Sequence, residues 1–160
     1  MKNPRLSSKA VLLHSTNFRE SSLIVTFFSL DFGLIKLVAK GAKLKNSKFS
    51  NIKVPGATFK IEFGGRSELK NLFTCETIGA ILIKESNFKI YLYLNELILK
   101  TLELEAPMRL IFNNLINLFK ELETVKDPLE KELKLRRFEY GLIVEPVSYT
   151  HLTLPTSHLV

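Results

Sequence analysis

The hydrophobic period of this chain changes once along its length, and that change limits what it can fold into. Up to about Phe73, and more loosely to Ile83, apolar residues come in short runs with period two, broken by turn residues. Beyond Ile83 they recur every three to four residues. A β part followed by an α part is therefore predicted, with the boundary at residues 84–87.

Within the β part, residues 9–14 read as a first strand, with a polar connection through Ser15-Thr16-Asn17 and Arg19-Glu20-Ser21. Residues 22–30 form a second, rich in β-branched and aromatic side chains. Asp31-Phe32-Gly33 is a tight-turn signal, because Gly33 takes positive φ without steric cost, and residues 34–40 are the return strand. Residues 56–63 make a fourth strand, Gly64-Gly65 a hairpin turn, and residues 69–83 a long fifth strand or a strand pair. Five short strands joined by hairpins and one long loop predict a small closed barrel of the OB-fold kind. The fold class is α+β: an N-terminal OB-fold β-barrel followed by an all-α domain.

In the α part, Ser86 or Asn87 caps a helix whose stripe is Ile90, Leu94, Leu97, Ile98 and Leu102. Pro107 starts a second, with Ile111, Leu115, Leu118, Phe119 and Leu122 facing the core. Asp127-Pro128-Leu129-Glu130 places a capping acceptor, an N1 proline and an N3 glutamate at capping-box spacing, so a third helix begins there. Its predicted inward face is Leu129, Leu133, Leu135, Phe138 and Leu142. Pro146 is expected to end it. Residues 146–160 show neither helical nor strand organisation and look like translated adapter sequence. The expected organisation is thus a barrel domain at 1–83, a partial, truncated helical domain at 84–145, and a non-native tail at 146–160. The native sequence would continue past Glu145, and His151 and His158 carry no site.

Charge decides where the barrel meets a partner. Residues 32–61 hold seven lysines (Lys36, Lys40, Lys43, Lys45, Lys48, Lys53 and Lys60) and no Asp or Glu, so the formal net charge of +7 belongs to this segment and the rest is balanced. Such a local surplus gathers polyanions, nucleic acid foremost. The alternation of residues 34–40 puts Ile35, Leu37 and Ala39 on one face and Lys36, Val38 and Lys40 on the other. Residues 42–55 then form a lysine-, serine- and asparagine-rich loop.

Other classes recede. The single Cys75 makes neither an internal disulfide nor a zinc site by itself, and a reduced, cytoplasmic setting is expected. The apolar run 10–13 is too short for a signal-peptide core, and no run reaches membrane-spanning length. Gly41, Gly56 and Gly64-Gly65 lack phosphate-loop spacing, and no His-Cys or paired-carboxylate pattern fits a metal or hydrolase site. A binding protein without cofactor is expected, not an enzyme. His14 reads as a strand residue and Cys75 as an inert core thiol.

Four blocks in order resemble the RecO family of bacterial recombination mediators. They are Ala10-Val11-Leu12 with Glu20-Ser21-Ser22-Leu23; the run from Phe32-Gly33-Leu34-Ile35-Lys36 through Leu37-Val38-Ala39-Lys40-Gly41-Ala42-Lys43; Tyr93-Leu94-Asn95-Glu96-Leu97-Ile98; and Leu135-Arg136-Arg137-Phe138-Glu139-Tyr140-Gly141-Leu142. The resemblance implies an N-terminal OB-fold, a helical domain, binding of single- and double-stranded DNA, and annealing of complementary strands. It implies partnership with RecR and help in loading RecA onto DNA coated by single-strand-binding protein, whose acidic C-terminal tail meets the helical domain. Many members carry a cysteine cluster for zinc in the helical domain; this sequence has none.

Annealing needs a surface that neutralises two backbones, and flexible ammonium groups suit it. The expected backbone contacts are Lys36, Lys40, Lys43, Lys45, Lys48 and Lys53. Phe49 either stacks a base or anchors the loop, and Arg19 and Arg66 extend the patch or pair with Glu20 and Glu68. Arg136 and Arg137 are candidates for an acidic peptide, Arg137 being the freer because Glu132–Arg136 has i, i+4 spacing. The alternative is an adaptor whose basic loop docks acidic peptides, and an RNA-binding barrel shares the same physics.

Overall fold

The structure, a computed structural model, describes the backbone of residues 4–158 and the side chains of residues 4–145. Among the described residues there are five strands, β1 (Leu6–Phe18), β2 (Ser22–Ser29), β3 (Gly33–Ala39), β4 (Ala57–Gly64) and β5 (Lys70–Ala80), then three α-helices, α1 (Phe88–Thr101), α2 (Arg109–Thr124) and α3 (Pro128–His158). The strands close into a barrel in the order β1-β2-β3-β5-β4. That order, with four antiparallel contacts and one parallel contact between β3 and β5, makes this an OB-fold.

β1 is longer than residues 9–14. Its first half pairs with β4, from Leu6 opposite Phe63 to Ala10 opposite Phe59, and its second half pairs with β2 as far as Phe18 opposite Ser22. A register shift between Leu12 and His14 lets one strand serve two neighbours, because a bulge bends the chain and increases its twist. Ser15, Thr16 and Asn17 pair with Val25, Ile24 and Leu23 and so belong to the ladder, not to a turn. A continuous antiparallel partner overrode their weak turn preference.

Ladder partners on the inner face are Val25 with Leu37, Phe27 with Ile35, and Leu23 with Ala39. Ala10, Val25, Phe27, Phe59 and Ile61 are fully buried there, and the Phe27 and Phe59 rings meet edge to face at 6.2 Å. On the outer face Val11, Leu13, Phe28, Leu34 and Val38 are buried as well. α1 packs against β1 with Leu94, Asn95 and Ile98 buried, which explains why the outward side of β1 is apolar. A one-turn 3₁₀ segment at Glu85–Asn87 precedes α1, and Asn87 makes no side-chain cap to it.

The chain divides into two compact units, Met1–Arg109 and Leu110–Val160. In the second, α2 buries Ile111, Phe112, Leu115, Leu118, Phe119 and Leu122. At the start of α3 the Asp127 carboxylate accepts from the Leu129 amide at 3.1 Å, with Pro128 at the first helical position. The inward face of α3 differs from expectation: Phe138 and Leu142 are buried, while Leu129 and Leu133 are 64% and 54% exposed. At 100° per residue those two leucines lie opposite Phe138, so one face cannot hold all five. The α3 backbone also stays helical past Pro146. A proline inside a helix removes one hydrogen bond and crowds the preceding turn, at about 3 kcal/mol, without forbidding continuation. The side chains beyond Glu145, His151 and His158 included, lie outside the described residues.

Candidate nucleic-acid interface

The lysine-rich segment begins on β3. Lys36 and Lys40 are exposed on its outer face, while Ile35, Leu37 and Ala39 are in the barrel core. The chain then runs through successive tight turns, with amides of Leu44, Ser47, Ser50, Ile52 and Val54 each bonding a carbonyl three residues back. The Lys43 amide donates to the Ser21 carbonyl at 2.9 Å, which fastens the loop to the turn between β1 and β2. Arg19 is exposed in that turn with φ of 55°, its guanidinium 5.0 Å from the centre of the Phe18 ring. Arg19, Lys40 and Lys43 are thereby gathered at one end of the barrel, with exposed Lys45 and Lys53 further along the loop. Among the described residues none of Lys36, Lys40, Lys43, Lys45 and Lys53 is ion-paired.

Of the two alternatives for Phe49 the structure has the packed one, and Lys48 is engaged otherwise than expected. Phe49 is 1% exposed and packed in the barrel core with Ile52, so its ring is not available to stack a base. Lys48 is exposed, but its ammonium donates to the Phe73 carbonyl at 2.8 Å and lies 5.0 Å from the Phe49 ring centre. The cause is a gap in the barrel. β5 pairs with β3 only at Lys70 and Asn71. Further along, its carbonyls accept from loop side chains instead, Phe73 from Lys48 and Cys75 from Asn51 at 3.1 Å. Phe49 and Ile52 fill the opening beneath. Polar groups left unpaired by the strands had to find partners, and this loop supplies them. Burial also pushes the Cys75 thiol up to about 12, consistent with an unreactive side chain.

Arg66 is exposed in the β4–β5 loop, at the barrel end occupied by the start of β1, so the fold separates it from Arg19. Arg136 bonds Glu139 at 2.8 Å and approaches Glu132 at 3.6 Å. The i, i+3 partner is therefore the shorter contact. Arg137 is exposed and lines a groove of about 260 Å³ with Asn114, Asn117, Glu121, Lys134 and Phe138, in which Lys134 pairs with Glu121 at 3.1 Å.

Sequence reading missed the segment joining α1 to α2. The Glu105 amide donates to the Leu34 carbonyl at 2.8 Å, and Leu104 bridges Leu34 in parallel, so this stretch straps the open edge of β3. Gly33 faces it so closely that a Cβ there would lie 2.1 Å from the Ala106 carbonyl oxygen. Arg109 reaches Asp31 at 2.6 Å, and Asp31 is held in turn by the Ser8 hydroxyl at 2.9 Å. The glycine of the turn signal was the visible trace of this contact.

The family described as Recombination protein O N terminal matches residues 1–81, the whole barrel. The chain belongs to the RecO family. RecO relatives extend the likeness into the helices. A protein of Aliivibrio salmonicida is 32% identical over 136 residues, covering 84% of this chain and 56% of its own length. One from Enterobacter is 34% identical over 137 residues (84% and 57%), and one from Escherichia coli K12 is 33% identical over 148 residues (89% and 60%). Each carries the name DNA repair protein RecO. The chain thus spans 56–60% of the length of these RecO relatives. No helix among the described residues is long and apolar enough to cross a membrane, and no group of three or more His, Cys, Asp or Glu side chains is placed to hold a metal ion.

Proposed function

We propose that this chain binds single- and double-stranded DNA through the lysine surface of its barrel, anneals complementary strands and acts as a recombination mediator in DNA repair. The observation that carries the reading is the gathering of Arg19, Lys40 and Lys43 at one end of the barrel, with Lys45 and Lys53 further along the loop, all exposed and undiluted by ion pairs among the described residues. Flexible ammonium groups neutralise phosphates without imposing register, so two backbones approach closely enough for bases to pair. No bond is made or broken by the protein, and the role is that of a binding surface, not an enzyme. The names of the relatives support repair as the setting.

On this reading RecR and the loading of RecA lie downstream. The groove beside Arg137, with Lys134 and two asparagines above Leu118 and Phe138, receives the acidic tail of single-strand-binding protein. The protein works in the cytoplasm, where its DNA is. Titrating a labelled oligothymidine with salt tests the core of this. If about four lysines each neutralise one phosphate, the log–log slope is roughly −3. A slope near zero, or failure of single-stranded oligonucleotides to bind while an acidic tail peptide binds at low salt, would contradict it in favour of a peptide-docking adaptor.

A further inference from the structure

The two ends of the β3 surface differ in charge. At the Lys40 end the lysines stand without carboxylate partners among the described residues. At the Lys36 end a groove of about 350 Å³ is lined by Lys36, Glu68, Leu69, Leu104 and Glu105. Glu105 also approaches Lys70 at 3.5 Å, so two carboxylates stand beside Lys36 and Lys70 here, with exposed Arg66 in the same loop as Glu68. Glu105 and Leu104 belong to the strap on the edge of β3, fixed by the Glu105 amide on Leu34, by the close approach of Gly33 to Ala106, and by Arg109 on Asp31. That many anchors make the strap a fixed part of the fold. Residues 101–108 contain two glutamates and no basic residue. Glu105 itself has φ of 60°, a conformation that costs a non-glycine side chain energy, so a carboxylate stands where the backbone alone would favour glycine.

We propose that Glu105 of the strap and Glu68 of the β4–β5 loop form an electrostatic stop that ends the nucleic-acid track before Lys36. A backbone lying along the barrel is then held by Arg19, Lys40, Lys43 and the loop lysines, and its phosphates are turned away at the strap. The stop fixes the extent of the site and biases a strand to leave on the side away from the strap. It rests on the nucleic-acid reading of the lysine surface.

The test uses the full chain with labelled oligothymidine at 0.1 M salt. In the parent protein Lys36→Ala changes Kd by less than twofold. Glu68→Gln with Glu105→Gln recruits Lys36, tightening binding about fivefold and steepening the salt slope by about 0.7, the share of one extra phosphate on a single strand. Adding Lys36→Ala to that background returns both to parental values. Should the loss of the Lys70 partner lower stability, Glu68→Gln alone is expected to tighten binding in the same direction. Equal effects of Lys36→Ala in both backgrounds, or no tightening in folded protein, would overturn the stop. If Lys40→Glu with Lys43→Glu weakens binding while the glutamine variants do nothing, the stop alone fails; if that lysine pair has no effect either, the underlying reading fails with it.

Discussion

Phe49 shows what a residue's neighbours in sequence do and do not tell. A phenylalanine between Lys48 and Lys53 has the composition of a base-stacking site, yet the ring is a plug in the barrel wall and Lys48 caps a strand carbonyl above it. The burial follows from the spacing of Phe49 and Ile52, which in a run of tight turns directs both side chains inward. That signal was in the sequence, but the gap it fills was not, because the short β3–β5 pairing depends on a distant register. Phe49→Leu should therefore destabilise the fold by roughly 1 kcal/mol while leaving oligonucleotide affinity within twofold, as read by thermal melting and fluorescence anisotropy. Loss of a stacked base would instead cost binding about 1–3 kcal/mol. The outward exposure of Lys36 and Lys40, by contrast, was legible from period-two alternation alone, because one face of a barrel strand must be apolar.

Among elements, the local ones were the easiest to read. The β2–β3 hairpin and the cap of α3 fall where the turn glycine and Asp127-Pro128 put them, since each is decided by a few adjacent residues. β1 was underestimated because its second half looks like a turn until β2 lies beside it, and α3 was misassigned because apolar residues lie on two of its faces. The strap was invisible: its extended backbone carries no periodic pattern, and its partner is a strand edge some seventy residues earlier, Leu104 against Leu34. Gly33 reports on it directly. Gly33→Ala combines φ of 69° with a Cβ placed against the Ala106 carbonyl, so the strap or the turn must move. The expected loss is at least about 2 kcal/mol in urea unfolding, beyond the ordinary cost of alanine at a positive-φ site. A change under about 0.5 kcal/mol would mean the strap contributes nothing to the barrel.

For the molecule as a whole, the surplus of basic charge lies entirely in Met1–Arg109, and the unit from Leu110 onward is slightly acidic. The period change marks where strands give way to helices, yet α1 clusters with the barrel, because Val11 and Leu13 on the outer face of β1 need a cover. A fragment of residues 1–109 should accordingly give the dispersed amide spectrum of a folded barrel. One of residues 1–83 exposes that apolar face and should aggregate or broaden; equal behaviour of both would show that α1 is dispensable. The most direct test of the central claim is oligothymidine binding by Lys40→Glu with Lys43→Glu. With two phosphate contacts removed, affinity at 0.1 M salt should fall at least about 25-fold and the salt slope flatten by about 1.4, with the melting temperature nearly unchanged. Parental affinity in that folded variant would contradict the assignment of this surface to DNA.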